Sequence, residues 1–134
     1  MIYSKQETVR FGHCDPAGIV FYPRYFEMLN ALIEDWFTLG LGIDYAELLG
    51  PRRVGVPTVS LQSHFKRVSR MGDRLTQTLA VKKLGRTSLT ITVIFSGYDG
   101  ERVSFEQVLV CTDLNTHKPQ PFPEDLRLAL ENFT

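Results

Sequence analysis

The residues best suited to chemistry lie in one run, Phe11-Gly12-His13-Cys14-Asp15-Pro16-Ala17-Gly18-Ile19-Val20-Phe21-Tyr22-Pro23. It sets a single carboxylate, Asp15, in a loop bearing Pro16 and Gly18, shortly ahead of an amphipathic helical segment. A carboxylate beside a helix N-terminus could act as nucleophile or general base. The unpaired N–H groups and dipole of the helix would hold a polarised carbonyl oxygen. The same residues also fit an ordinary turn, because Asp before Pro tolerates turn geometry and bonds its own backbone. Cys14 next to His13 invites a nucleophile–base reading. Neighbours on an extended segment point to opposite sides, however, so His13 is poorly set to orient Cys14. A structural Cys and a locally bonded His are the expectation.

The elements that must position this loop follow from periodicity. Residues 3–11 alternate weakly and read as a strand. Residues 23–39 carry Phe26, Leu29, Ile33, Trp36 and Phe37 at spacings of three and four, with Leu32 beside them, which predicts a helix with one wide buried face. Pro23 suits its first turn and Gly40 its C-terminal cap. Residues 43–49 predict a short helical turn ended by Gly50-Pro51. From there the texture turns β-branched, in runs 54–69, 74–84, 87–98 and 101–113. These are read as four consecutive antiparallel strands, with Asp99-Gly100 as a hairpin signal. Leu126, Ala129 and Leu130 predict a short closing helix within 121–133. The order strand, long helix, strand meander predicts an α+β domain. One helix cannot cover both faces of a curved five-stranded sheet, and long edge strands are a liability unless paired. Both points favour a dimer.

Composition narrows the partners. The 134 residues suggest one domain, and 43% hydrophobic content allows an ordinary core. Lys+Arg and Asp+Glu both count 15, which argues against nucleic acid or a membrane surface as the main partner. Cys14 and Cys111 are isolated, so a reducing cytoplasm fits. No apolar run approaches the roughly 20 residues of a membrane span, and the polar N-terminus does not resemble a signal peptide. His64 in a strand and His117 in a polar loop have no zinc-ligand spacing, so no metal is expected.

The segment from Asp15 through Tyr25-Phe26 closely resembles the active-site segment of the 4-hydroxybenzoyl-CoA thioesterase family. That resemblance implies a hotdog fold across a single domain, 1–134: a long central helix wrapped by a five-stranded antiparallel sheet. It implies that Asp15 is the catalytic carboxylate, as a nucleophile giving a mixed anhydride or as a general base. It further implies that the backbone N–H of Tyr22 points at the thioester oxygen and that Gly18 permits close approach of substrate. Nucleotide contacts fall on Arg86 and Ser88, with Lys83 and Thr87, in the cluster Lys82-Lys83-Leu84-Gly85-Arg86-Thr87-Ser88. A solvated hairpin tip is the plain reading of that cluster. His64, Lys66, Arg67 and Arg70 form a second basic group, at the same cleft or facing water. Phe21, Tyr25, Asn30 and Thr58 are candidates to line the acyl site, and the uncharged Asn30 argues against a strict 4-hydroxybenzoyl preference.

The implied activity is hydrolysis of an aromatic (benzoyl or hydroxybenzoyl) or short-chain acyl-CoA to free acid and coenzyme A. Coenzyme A would be part of the substrate and no cofactor would be needed. The implied assembly is a cytoplasmic homodimer pairing into a homotetramer. Two rival readings stand beside it. One is an enoyl-thioester hydratase or dehydratase, which needs a His paired with an acid. The other is a non-catalytic acyl-CoA-binding module.

Overall fold

Alternation along three long strands decides which face of the sheet is buried. In a computed structural model describing residues 1–134, these are β4 (Arg74–Leu84), β5 (Ser88–Gly97) and β6 (Gly100–Val110). Leu75, Gln77 and Leu79, then Leu89, Ile91, Val93 and Phe95, then Val103, Phe105, Gln107 and Leu109, all turn to one buried face. Side chains two apart share a face, so a single helix can cover all three strands. That helix is α1 (Tyr22–Asp35), which buries Tyr25, Met28, Leu29, Leu32 and Ile33. Its N-terminal half is anchored by rings: Tyr25 packs on Phe95 (6.2 Å between centroids) and Phe65 (6.0 Å), and Phe26 packs on Phe105 (5.9 Å).

Strand β1 (Tyr3–Thr8) pairs antiparallel with β4, and β3 (Thr58–Phe65) pairs antiparallel with β6, giving the order β1-β4-β5-β6-β3. The expected four-strand meander is therefore three strands long. Strand β3 lies at the far edge, beyond β6, and β1 takes the place beside β4. The reason is the connection 66–73. It must cross from one edge of the sheet to β4, about 14 Å at the usual strand spacing, which eight residues span easily. Its register is held by Lys66 and Arg67 N–H groups donating to Arg102 O at 2.8 and 3.2 Å. Strand β3 is exposed along both faces except at Ser63, with Val59, Leu61 and Phe65 at 60%, 39% and 51% exposure.

Other boundaries shifted for local reasons. Pro57 divides the run 54–69, leaving β2 (Val54–Gly55) ahead of β3. With β7 (Thr112–Asp113) and β8 (Lys118–Pro119), β2 makes a small second sheet that periodicity did not predict. The long helix continues past α1 as one π-helical turn, Trp36–Gly40, closed by Leu41 N–H donating to Trp36 O at 2.7 Å. Gly40 is not a left-handed cap. A Cβ there would lie 2.7 Å from Trp36 Cδ1 and 3.0 Å from Tyr3, so glycine serves close packing, and Gly42 takes the positive φ of 72°. The short helix α2 (Tyr45–Leu49) and the closing helix α3 (Glu124–Glu131) fall within their expected runs. No helix is long and apolar enough to cross a membrane.

Candidate active site

The Asp15 loop is a tight hairpin stitched to the start of α1. Cys14 bridges Val20, Asp15 N–H donates to Ile19 O at 2.9 Å, and Gly18 N–H donates to Asp15 O at 2.9 Å. Gly18 has φ +81° with open space where a Cβ would stand, so the turn needs glycine for its backbone conformation. Phe21 N–H then donates to His13 O at 2.9 Å, and helix begins at the next residue. This short path leaves little freedom between the carboxylate and the helix N-terminus.

Asp15 itself does two things. Its Oδ1 accepts the Ala17 N–H at 2.9 Å, which is the turn-forming role expected of Asp before Pro. Its other carboxylate oxygen takes no hydrogen bond, and the residue is only half-buried. The turn therefore fixes the carboxylate and leaves one oxygen available. At the helix start, Arg24 N–H donates to Phe21 O at 2.8 Å, Pro23 has no N–H, and no side chain caps the helix. The Tyr22 N–H has no backbone acceptor and lies where the positive end of the helix dipole is felt.

Beside this N-terminus lies a cleft of about 250 Å³, lined by Ile19, Val20, Tyr22, Tyr25 and the segment 65–69. Tyr25 is 4% exposed and its hydroxyl has no hydrogen-bond partner; burial raises its pKa above the usual tyrosine value. A family model described as the thioesterase-like superfamily matches residues 9–130. The chain belongs to that superfamily. A 1,4-dihydroxy-2-naphthoyl-CoA hydrolase of Thermosynechococcus vestitus is 27% identical over 128 residues, 95% of this chain and 87% of that protein. A 4-hydroxybenzoyl-CoA thioesterase of a Pseudomonas species is 34% identical over 84 residues, 62% of this chain and 60% of that protein. The solved structure of a gentisyl-coenzyme A thioesterase superposes with a TM-score of 0.85 at 25% identity, covering 96% of this chain and 99% of the other. The single helix wrapped by a five-stranded antiparallel sheet is the hotdog fold.

Not every expected site residue of this thioesterase-like chain meets at the cleft. Tyr22 and Tyr25 line it; Phe21 is 47% exposed and does not. Asn30 lies two turns along α1, with its Nδ2 donating to Glu34 at 2.7 Å in the open. Thr58 sits at the opposite end of β3 from Phe65, where its hydroxyl accepts Gln107 Nε2 at 2.7 Å. Arg86 and Thr87 lie in the β4–β5 turn and Ser88 opens β5, while Asp15 lies near the start of β4, so the two groups stand at opposite ends of that strand. At 11 residues it is about 36 Å long. Lys83 lies on the outer sheet face, in a trough of about 450 Å³ with Lys82, Ser60 and Glu106. The second basic group divides. Lys66 and Arg67 line the cleft, with Lys66 paired to Glu101 at 2.5 Å, and His64 faces the outer side with Lys82 and Glu106.

His13 and Cys14 take the local roles expected. His13 Nδ1 accepts Arg10 N–H at 2.8 Å, and Cys14 Sγ donates to Arg10 O at 3.6 Å. One further residue near the site, Arg102, has no place among the expected site residues. Arg102 is 2% exposed, between the cleft-lining segment and the β5–β6 turn. Its signal was present: an arginine inside the Val-rich run of β6, three residues after Asp99.

Proposed function

We propose that this chain hydrolyses a coenzyme A thioester, of an aromatic or a short-chain acid, to the free acid and coenzyme A. One observation carries the reading. Asp15 is held by one oxygen in a turn that leads directly into a helix N-terminus with an uncommitted N–H. In this reading the thioester carbonyl oxygen accepts the Tyr22 N–H, which stabilises the charge that develops on it. The free oxygen of Asp15 attacks the carbonyl carbon, expelling the coenzyme A thiolate and leaving a mixed anhydride that water opens. Alternatively it takes a proton from a water that attacks the same carbon. Either route ends on the acid and the thiol, with water as the only co-reactant, so no cofactor is called for. The names of the relatives support an aromatic acyl group, since they act on dihydroxynaphthoyl-, hydroxybenzoyl- and gentisyl-CoA.

The working unit in this proposal is larger than one chain. A strand about 36 Å long separates Asp15 from the Arg86 turn, farther than one coenzyme A reaches from its thioester to its nucleotide. Arg86, Ser88, Thr87 and Lys83 would then serve a thioester bound at another copy's Asp15. The edge strand β3, with its outer side unpaired and Val59, Leu61 and Phe65 exposed, is the natural seam for the first contact, giving a homodimer that pairs again into a tetramer. Asn30 and Thr58 would join the acyl pocket across that seam. A cytoplasmic location suits a coenzyme A substrate. The decisive assay is release of free thiol from benzoyl-, hydroxybenzoyl- and short-chain acyl-CoA by the purified protein. Turnover of at least one is expected, and no turnover of any would end the reading.

A further inference from the structure

Arg102 has no expected part in binding or hydrolysis, yet it is the most deeply buried charge in the molecule, and its contacts lead to the loop that carries Asp15. Its Nε donates to Asp99 Oδ1 at 2.7 Å. Its Nη1 lies 2.8 Å from Asp73 Oδ2, 3.1 Å from Ser69 Oγ and 3.1 Å from Val68 O. Three of these four acceptors belong to the connection 66–73. That connection is in turn the floor of the catalytic hairpin. Ser69 O accepts the Val20 N–H at 2.9 Å, Arg70 bridges Ile19, and Asp73 O and Gly72 N–H clasp Val9 at 2.8 Å each. One guanidinium therefore ties the start of β6 to the connection whose backbone holds both ends of the segment 9–20.

The fit around it is close. Gly97 leaves the room the guanidinium occupies, because a Cβ there would lie 2.3 Å from Nη2. The Tyr98 ring lies 5.5 Å from Cζ on another side. A buried charge with several partners in fixed directions sets geometry more sharply than an apolar contact, since each misaligned acceptor would be left unpaired.

We propose that Arg102 is a positioning residue for the Asp15 loop, holding the floor on which Ile19 and Val20 set the carboxylate against the helix N-terminus. It touches no substrate in this role. The inference rests on the reading of Asp15 as the working carboxylate, and its effect is on kcat rather than KM. A small displacement of a reacting group can cost on the order of tenfold to a hundredfold in rate.

The test uses Arg102→Lys, which keeps the charge but cannot reach the acceptors of both sides, with Gly97→Ala as a second route to the same displacement. Val93→Ala, a core variant, controls for general loss of stability. Arg102→Lys is expected to lower kcat about tenfold or more with KM little changed, and to speed amide exchange at Val20, Val9 and Gly72 but not at Ile91 or Val93. Unchanged kcat in folded Arg102→Lys, or exchange raised evenly across the sheet as in Val93→Ala, overturns the proposal. If Arg102→Lys does not fold, Gly97→Ala must show the local exchange pattern, and its absence has the same consequence. If the wild-type protein hydrolyses no acyl-CoA, the proposed function falls, and the exchange pattern still decides whether Arg102 holds the loop.

Discussion

The two ends of β4 carry the two halves of the proposed chemistry, and they are built differently. At the Arg74 end, the Asp15 hairpin is fastened from several sides: by the bridges Cys14–Val20 and Ile19–Arg70, by Val20 N–H to Ser69 O, and through Arg102 below. At the Leu84 end, the backbone of the Arg86 turn is fastened by the residue that follows β6 and by the tail of the chain. Phe122 N–H donates to Arg86 O at 3.3 Å, Cys111 N–H to Thr87 O at 2.7 Å, and the Arg127 guanidinium to Gly85 O. The Arg86 side chain itself is exposed and free of ion pairs. Bond making needs a carboxylate fixed to a fraction of an ångström. Gripping a phosphate needs charge at a distance and tolerates a mobile side chain. The held Asp15 carboxylate and the free Arg86 side chain match that division of labour.

The sharpest way to break this comparison is Asp15→Asn. It keeps the Ala17 hydrogen bond, because the amide oxygen still accepts, but removes the nucleophile or base. Turnover should fall by about 10²–10⁴ at unchanged melting temperature, read by thiol release and thermal unfolding. Full activity would mean the turn is only a turn. Mixing unfolded Asp15→Asn and Arg86→Glu chains and refolding them together should give more turnover at low substrate than the sum of the two variants refolded separately, if each site draws on two copies.

Arg86→Ala should raise KM about tenfold, the loss of one charge-assisted contact, and leave kcat in place. A fall in kcat instead would unite the two ends functionally. A smaller effect concerns acid stability. Asp73 is held below its usual carboxylate pKa of 3.8, first by the Arg102 hydrogen bond and then by the Arg70 N–H. The unfolded state therefore binds the proton more readily. This contribution is present above about pH 4 and is lost as pH falls through the lower folded value. Wild-type stability should decline with acid in that window, and Arg102→Met, which leaves Asp73 without its partner, should flatten the decline. The smallest expected change is Tyr22→Phe. Only its backbone N–H is invoked and its ring lies 60% exposed, so kcat should stay within about twofold against the 10²–10³ expected of a lost oxyanion donor.

Much of this was legible from short-range pattern. The long helix, the strand texture and the Asp15 turn depend on neighbours within a few residues, and periodicity reports those directly. The limits of legibility are specific. The place of β3 beyond β6 was hidden because pairing partners are set by what a connection can cross and anchor, and residues 66–73 look like any polar linker. The π turn at Trp36–Gly40 was hidden because Gly40 packs closely against the Tyr3 ring, which belongs to the first strand and lies far away in the chain. Arg102 was visible as an oddity in a Val-rich strand, but its acceptors, Ser69 and Asp73, lie about 30 residues away.

By itself, the sequence determined the kind of site: one carboxylate, a glycine that tolerates positive φ, and a helix with proline in its first turn, all within a dozen residues, where chain connectivity alone enforces proximity. Tertiary structure decided what that site is joined to. It set the Arg86 turn a full strand length away and left the outer edge of β3 without a neighbour. It also brought Arg102 beneath the hairpin, because burial of the alternating faces of β4, β5 and β6 against one helix fixes every strand's ends at once.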